Sequence, residues 1–247
     1  MRFPPLEQVC DYPVVTFWRR DLLDLRGRFD PSVLDRARSC RTKVVLRLHG
    51  LTRDIAGDDG QGLDLDKVED RINDFAGLID PYVQDGTILA HLTIDEPHDC
   101  YDWGGRCPTP WEVDQAGLNS KRIWPTLPTM VNTVPRYAGQ YNWEYTDIAN
   151  FQYAFHKGPL DEFIHGGLEV VRAGRVAGIS WSFQARWGGC RRFGECSMTS
   201  AQVEEVARAL CGTRTGQFVS FSSYDAQLVT APMQQVIDRV RNYGGGC

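Results

Sequence analysis

The sequence alternates between two periodicities, and that alternation restricts the available folds more than any other feature. Short apolar runs rich in β-branched residues cover 14–18, 43–50, 87–94, 129–134, 147–155, 176–183 and 217–223. Between them, apolar residues recur at helical spacing over about 31–40, 64–79, 109–123, 160–173, 199–210 and 232–243. Asp30-Pro31 and Thr109-Pro110 supply the cap and first-turn residues that open two of these helices. Strands separated by helices pair in parallel through right-handed crossovers, so the pattern predicts an α/β chain. Polar and aromatic residues gather just after the strands, which predicts a single (β/α) TIM-like barrel over residues 1–247 with its site in the βα loops. Seven strands can be read, so one N-terminal strand is either missing or overlooked. An open doubly wound sheet competes, but no GxGxxG or P-loop is present to favour nucleotide binding.

One strand end stands out. The run at 87–94 leads straight into Asp95, Glu96 and Pro97, and a proline has no N–H to continue a ladder. The strand must stop there, leaving two carboxylates at its tip. The loop that follows carries His98, Asp99, Tyr101, Asp102, Trp103, Gly104 and Gly105, with Cys100 and Cys107 flanking its second half. In parallel α/β proteins, ligands bind at the carboxyl ends of strands.

Charge and cysteine usage narrow the partners. The net charge of −5 is spread out with no run of Lys or Arg, so the chain has no electrostatic footprint for nucleic acid. No apolar run approaches about 18 residues, and the N-terminal MRFPPLEQVC has no hydrophobic core of a signal peptide, so neither a membrane span nor a leader is expected in this stretch of chain. Among the eight cysteines two pairs are local, Cys100 with Cys107 and Cys190 with Cys196, and neither has the spacing or the histidine partners of a zinc site. Loop-stapling disulfides, and with them an extracellular or periplasmic location, are the expectation; the alternative is a cytosolic chain with free thiols.

The segments DGTILAHLTIDEPHDCYDWGG, SKRIWPTLPTMV and QYAFHKGP together resemble uncharacterised bacterial and environmental proteins of the glycoside-hydrolase-like TIM-barrel superfamily. The similarity runs roughly from Val44 to Asp225, with the DEP-to-WGG segment its most specific part. In the retaining glycosidases of this barrel, the acid/base is a Glu in an Asn-Glu-Pro motif at the end of strand four. Asp95-Glu96-Pro97 matches that motif with Asp in place of Asn, so the resemblance puts Glu96 at the acid/base position if one strand precedes those visible. The same clan keeps its nucleophile at the end of strand seven, which here is ISWSFQARWGG and contains no carboxylate.

Glycoside hydrolysis needs two carboxyl groups, about 5–5.5 Å apart for retention or about 6.5–9.5 Å for inversion. Glu96 is the expected acid, its pKa raised by the neighbouring Asp95 and by desolvation. Asp225 leads as its partner, ahead of Glu144, Asp147, Asp99 and Asp21. The adjacent Asp95 and Glu96 also resemble the pair of substrate-assisted hexosaminidases, in which the Asp orients a substrate acetamido group. Trp18, Arg20, Arg47, His49, His98, Trp103, Gln152, Trp181 and Tyr224 are the expected carbohydrate-binding residues. His49, His91 and His98 lack HxH or HExxH spacing, so no metal is expected, and no motif asks for a cofactor. The expected function is cleavage of a glycosidic bond in an oligo- or polysaccharide; the alternative is a non-catalytic carbohydrate-binding barrel that has lost its second carboxylate.

Overall fold

The computed structural model describes residues 9–10, 14–184, 198–213 and 216–222. The chain divides into two compact units, one of residues 4–133 with 143–148, the other holding 134–142 and the chain from 149 onward. Each is described by itself.

The first unit is built on four strands, β1 (Val14–Trp18), β2 (Lys43–Arg47), β3 (Ile88–Asp95) and β4 (Thr129–Thr133). They pair in parallel in chain order, in a register that sets Trp18 beside Arg47, Leu46 beside His91 and Asp95 beside Asn132. Parallel strands covered on both faces need apolar residues throughout, and Val44, Val45, Leu46, Ile88, Ala90, Ile94, Met130 and Val131 are all buried. The helices between them are α1 (Ser32–Ser39), α2 (Leu65–Asn73), α3 (Asp80–Gln84) and α4 (Pro110–Ile123). Asp64 caps α2 by accepting from the Asp66 and Lys67 amides, and Thr109 with Glu112 forms a capping box on α4.

Three expected boundaries are corrected. The helix expected over 64–79 ends at Asn73, because Gly77 adopts a φ of +79° and Pro81 restarts the chain as α3. The strand expected to reach Gly50 leaves the ladder after Arg47, and Gly50 turns with a φ of +84°. The strand expected from Asp147 starts one residue later, because Asp147 instead anchors the start of β4: its carboxylate accepts from the Thr129 amide at 2.8 Å and pairs with Lys121 at 2.6 Å.

The second unit holds α5 (Pro135–Ala138), most of β5 (Ile148–Tyr153), α6 (Leu160–Arg172), β6 (Gly178–Gln184), α7 (Ser200–Gly212) and β7 (Gly216–Ser222). Strands β6 and β7 pair in parallel. Its core is aromatic: the Trp181 ring lies 5.7 Å from Phe151 and 6.3 Å from Phe163. Gly167 on α6 permits that packing, since a Cβ there would fall 2.5 Å from the Trp181 ring. The α/β class and parallel strands are as expected. The helix expected over 232–243 lies outside the described residues. Among the described residues, no helix is long and apolar enough to cross a membrane.

Candidate active site

Glu96 follows directly on the last residue of β3, and its backbone is left-handed, with a φ of +46°. Only Glu96 and Arg41 among the described non-glycine residues have positive φ. Such a conformation costs on the order of 1 kcal/mol or more and persists only where the surroundings impose it. Here three hydrogen bonds do so. The Glu96 amide donates to the Asn132 carbonyl at 2.8 Å, while its own carbonyl accepts from the Asp99 amide at 3.0 Å and from the Trp103 indole N–H at 3.2 Å. Trp103 is only 1% exposed and sits in the loop closed by a Cys100–Cys107 disulfide, as the spacing of those cysteines predicted. The loop thus acts on the Glu96 carbonyl through the Asp99 amide and the Trp103 indole. Replacing Trp103 by phenylalanine keeps most of the ring but removes that donor, and is expected to lower unfolding free energy by about 1 kcal/mol. An unchanged urea midpoint for Trp103→Phe would show that the indole bond contributes nothing to the clamp.

The carboxylate beside Glu96 is fully engaged. One oxygen of Asp95 pairs with Nη1 of Arg47 and the other accepts from Nδ2 of Asn132 at 2.6 Å. Arg47 is 4% exposed in its side chain, so burial would be costly without this partner. Its guanidinium also lies 3.8 Å over the Trp18 ring, a cation–π contact, and its Nε donates to Nε2 of His49 at 2.9 Å. Because the guanidinium can only donate, His49 Nε2 is the lone-pair nitrogen and the ring proton resides on Nδ1. Burial, with the positive charge of Arg47 next, holds the His49 imidazole well below its usual pKa and therefore neutral. The tip of β1 adds Asp21, whose carboxyl accepts from the Trp18 amide at 2.8 Å and is pushed up by burial. Arg20 lies 5.4 Å from the Trp18 ring.

The structure therefore brings Trp18, Arg20, Arg47, His49, Asp95 and Glu96 together at the carboxyl ends of β1 to β3. His98 stands in the loop after Glu96, with Nδ1 at 3.3 Å from Thr133 Oγ1. Asn132 and Thr133 were missed, although the polar pair that ends TMVNT is the same signal that singled out Arg47 and His49. Other expected residues sit elsewhere. Trp181 and Trp103 are interior side chains whose rings face protein, which removes both as stacking platforms. Gln152 is buried in β5, its carbonyl accepting from Lys157 at 2.9 Å. Asp147 lies at the amino end of β4, the opposite end from Asp95, and the Glu144 amide is tied to the buried Asp114 at 3.0 Å in the same turn. Asp225, Tyr224, Cys190 and Cys196 lie outside the described residues. A Cys10–Cys40 disulfide, 30 residues apart, had no local signal. Among the described residues, no group of three or more His, Cys, Asp or Glu side chains is placed to hold a metal ion.

No protein-family model matches the chain. No curated protein matches it. Solved structures do. A family GH2 β-galacturonidase from Eisenbergiella tayi aligns with a TM-score of 0.61 at 10% identity, over 98% of this chain and 46% of that one. A psychrophilic family 10 endo-β-1,4-xylanase gives 0.57 at 11% identity, over 87% and 83%. A β-glucuronidase from Bacteroides uniformis gives 0.60 at 11% identity, over 89% and 27%. The chain spans about half the length of the first of these and about a quarter of the last. At such identities the likeness is one of fold, the glycoside-hydrolase-like TIM-barrel kind.

Proposed function

We propose that the protein cleaves a glycosidic bond in an oligo- or polysaccharide, with Glu96 as general acid. The observation that carries this reading is the strained backbone of Glu96, held left-handed at a strand end by Asn132, Asp99 and Trp103. Strain of this kind concentrates where a side chain must be aimed at a ligand. The fold shared with glycoside hydrolases supports the same class of chemistry.

Asp95 serves chiefly as a positioning group in this reading. With Arg47 on one oxygen and Asn132 on the other, it ties β2, β3 and β4 together beneath Glu96, and the substrate-assisted role is correspondingly disfavoured. The second carboxyl in this reading is Asp21, just after β1; Asp225, the partner expected from the sequence, lies outside the described residues. Trp18, Arg20 and His98 are the substrate-facing groups of this reading, the buried Arg47 and His49 support Trp18 and Asp95 from behind, and the disulfides suit an extracellular or periplasmic setting.

The missing carboxylate in residues 179–189 favours a second reading, a barrel that binds carbohydrate without cleaving it. A reducing-end assay decides between them, with the full chain incubated with neutral polysaccharides, polyuronides and aryl glycosides. New reducing ends or released phenol from at least one class are expected. Binding without release from any of them would overturn the hydrolase in favour of the binding barrel.

A further inference from the structure

The loops that follow β2 and β3 are locked together. The Gly62 amide donates to the Trp103 carbonyl at 3.0 Å, and the Gly104 Cα lies so close to the Gly60 carbonyl that a Cβ would come within 2.2 Å of its oxygen. Arg106 lies flat over Gly62, where a Cβ would meet its guanidinium at 2.0 Å, and is held by Glu112 at 3.0 Å. Only glycine fits at 62 and 104, so these two loops form a rigid wall rather than independent arms.

Against that wall lies an open groove of about 480 Å³, lined among others by Asp59, Gln61, Asp66, Arg106, Trp111 and Glu112. That size falls within the roughly 300–1,000 Å³ of small-ligand sites. Trp111, in the first turn of α4, is 54% exposed, which is unusual for so large an apolar side chain. A sugar ring has an apolar C–H face and a rim of hydroxyls, and this groove offers an indole beside an amide, carboxylates and a guanidinium. Its charge restricts the sugar. Glu112 neutralises Arg106 and Lys67 pairs with Asp64, which leaves Asp59 and Asp66 as the excess charge of the lining, so a polyuronide, a sulfated chain or a nucleic acid would be repelled.

We propose that this groove is a subsite for a neutral glycan chain, with Trp111 as its stacking platform. The proposal rests on the hydrolase reading and narrows its substrate to a neutral polymer, because the groove is lined by the loops that follow β2 and β3, which carry His49 and Glu96 at their starts, together with the first turns of α2 and α4.

The test is affinity electrophoresis of the full-length Glu96→Gln protein, with and without Trp111→Ala, through gels containing xylan, β-glucan, galactomannan or polygalacturonate. Retardation by at least one neutral polymer is expected, with affinity falling about tenfold on loss of Trp111. The thermal midpoint should stay unchanged, since that side chain is exposed. The proposal is overturned if no neutral polymer retards the protein, if Trp111→Ala migrates like its parent, or if polygalacturonate binds as well as the neutral chains. The two readings fail separately: Trp111-dependent binding by a chain without hydrolase activity leaves the groove standing and removes the enzyme. Polymer hydrolysis indifferent to Trp111→Ala does the reverse.

Discussion

Replacing Glu96 by glutamine is expected to lower the rate of glycoside cleavage by on the order of 10² to 10⁴, the usual contribution of a positioned proton donor. The amide keeps the size of the side chain, and the bonds that aim it run through the backbone, from Asn132, Asp99 and Trp103, so they survive the change. What disappears is the transferable proton. The loss should be largest for substrates with poor leaving groups and should shrink for aryl glycosides whose phenol departs without protonation. The alkaline limb of the pH–rate profile, on which a proton donor loses its proton, should vanish in the variant. Glu96→Gly supplies an independent signature. Glycine accepts a φ of +46° without strain, so this variant should be as stable as the parent or gain up to about 1 kcal/mol while losing the same activity. Stability lost together with activity in Glu96→Gly, or activity within threefold of the parent in Glu96→Gln, would remove Glu96 from the proposed role.

Much of this site could be read from the sequence because strand ends announce themselves. A β-branched run that stops at Asp-Glu-Pro leaves little freedom in where the carboxylates lie, and the polar Arg47 and His49 at the end of another such run point to the same edge. The contacts between those residues were not legible. Asp95 meets Asn132 because β3 and β4 adopt one register out of several that the apolar pattern allows. The Cys10–Cys40 bridge depends on how the chain before β1 returns to the end of α1, which no spacing rule encodes.

Side-chain direction explains the displaced aromatics and acids. In β6 the serines Ser180 and Ser182 share one face, where both bond Asn150, and Trp181 between them must point to the other face, toward α6. The alternation in ISWSF encodes that direction, whereas distance from a strand tip carries no information about which face a side chain takes. Asp147 shows the complementary error. An acid just before a parallel strand lies at the opposite end from an acid just after one, so Asp147 and Glu144 could not join Glu96 by way of their strand.

Stability should fall steeply as the solution is made mildly acidic, because two histidines of the first unit are buried in the neutral form. His91 bonds Ser120 Oγ through Nδ1 at 2.8 Å and packs edge-on against Trp124, and burial pushes its pKa down to about 3. His49 is held well below its usual value by burial and by Arg47, with His91 and Arg71 adding to the effect. A second proton on His49 would have to enter at Nε2, which already faces the Arg47 Nε–H, and His91 Nε2 has no hydrogen-bond partner among the described residues, so neither ring has an acceptor waiting for it. Above pH 6.5 both rings are neutral folded and unfolded, and their contribution to stability is complete. Below it the unfolded chain takes up protons that the native state refuses, at a cost of about 1.4 kcal/mol per pH unit for each histidine. Between pH 6.5 and 4.5 His91 alone should remove about 3 kcal/mol, with His49 adding to it, a large part of the roughly 5–15 kcal/mol that holds a domain folded. Asp21 works in the other direction, since a carboxyl pushed up by burial favours the fold as it gains its proton. Urea unfolding at pH 7.5, 6.0 and 5.0 measures the slope directly. His91→Gln should flatten it by nearly one proton whatever it does to stability at pH 7.5, and a parent protein equally stable at all three values would mean that both rings take up protons in the folded state.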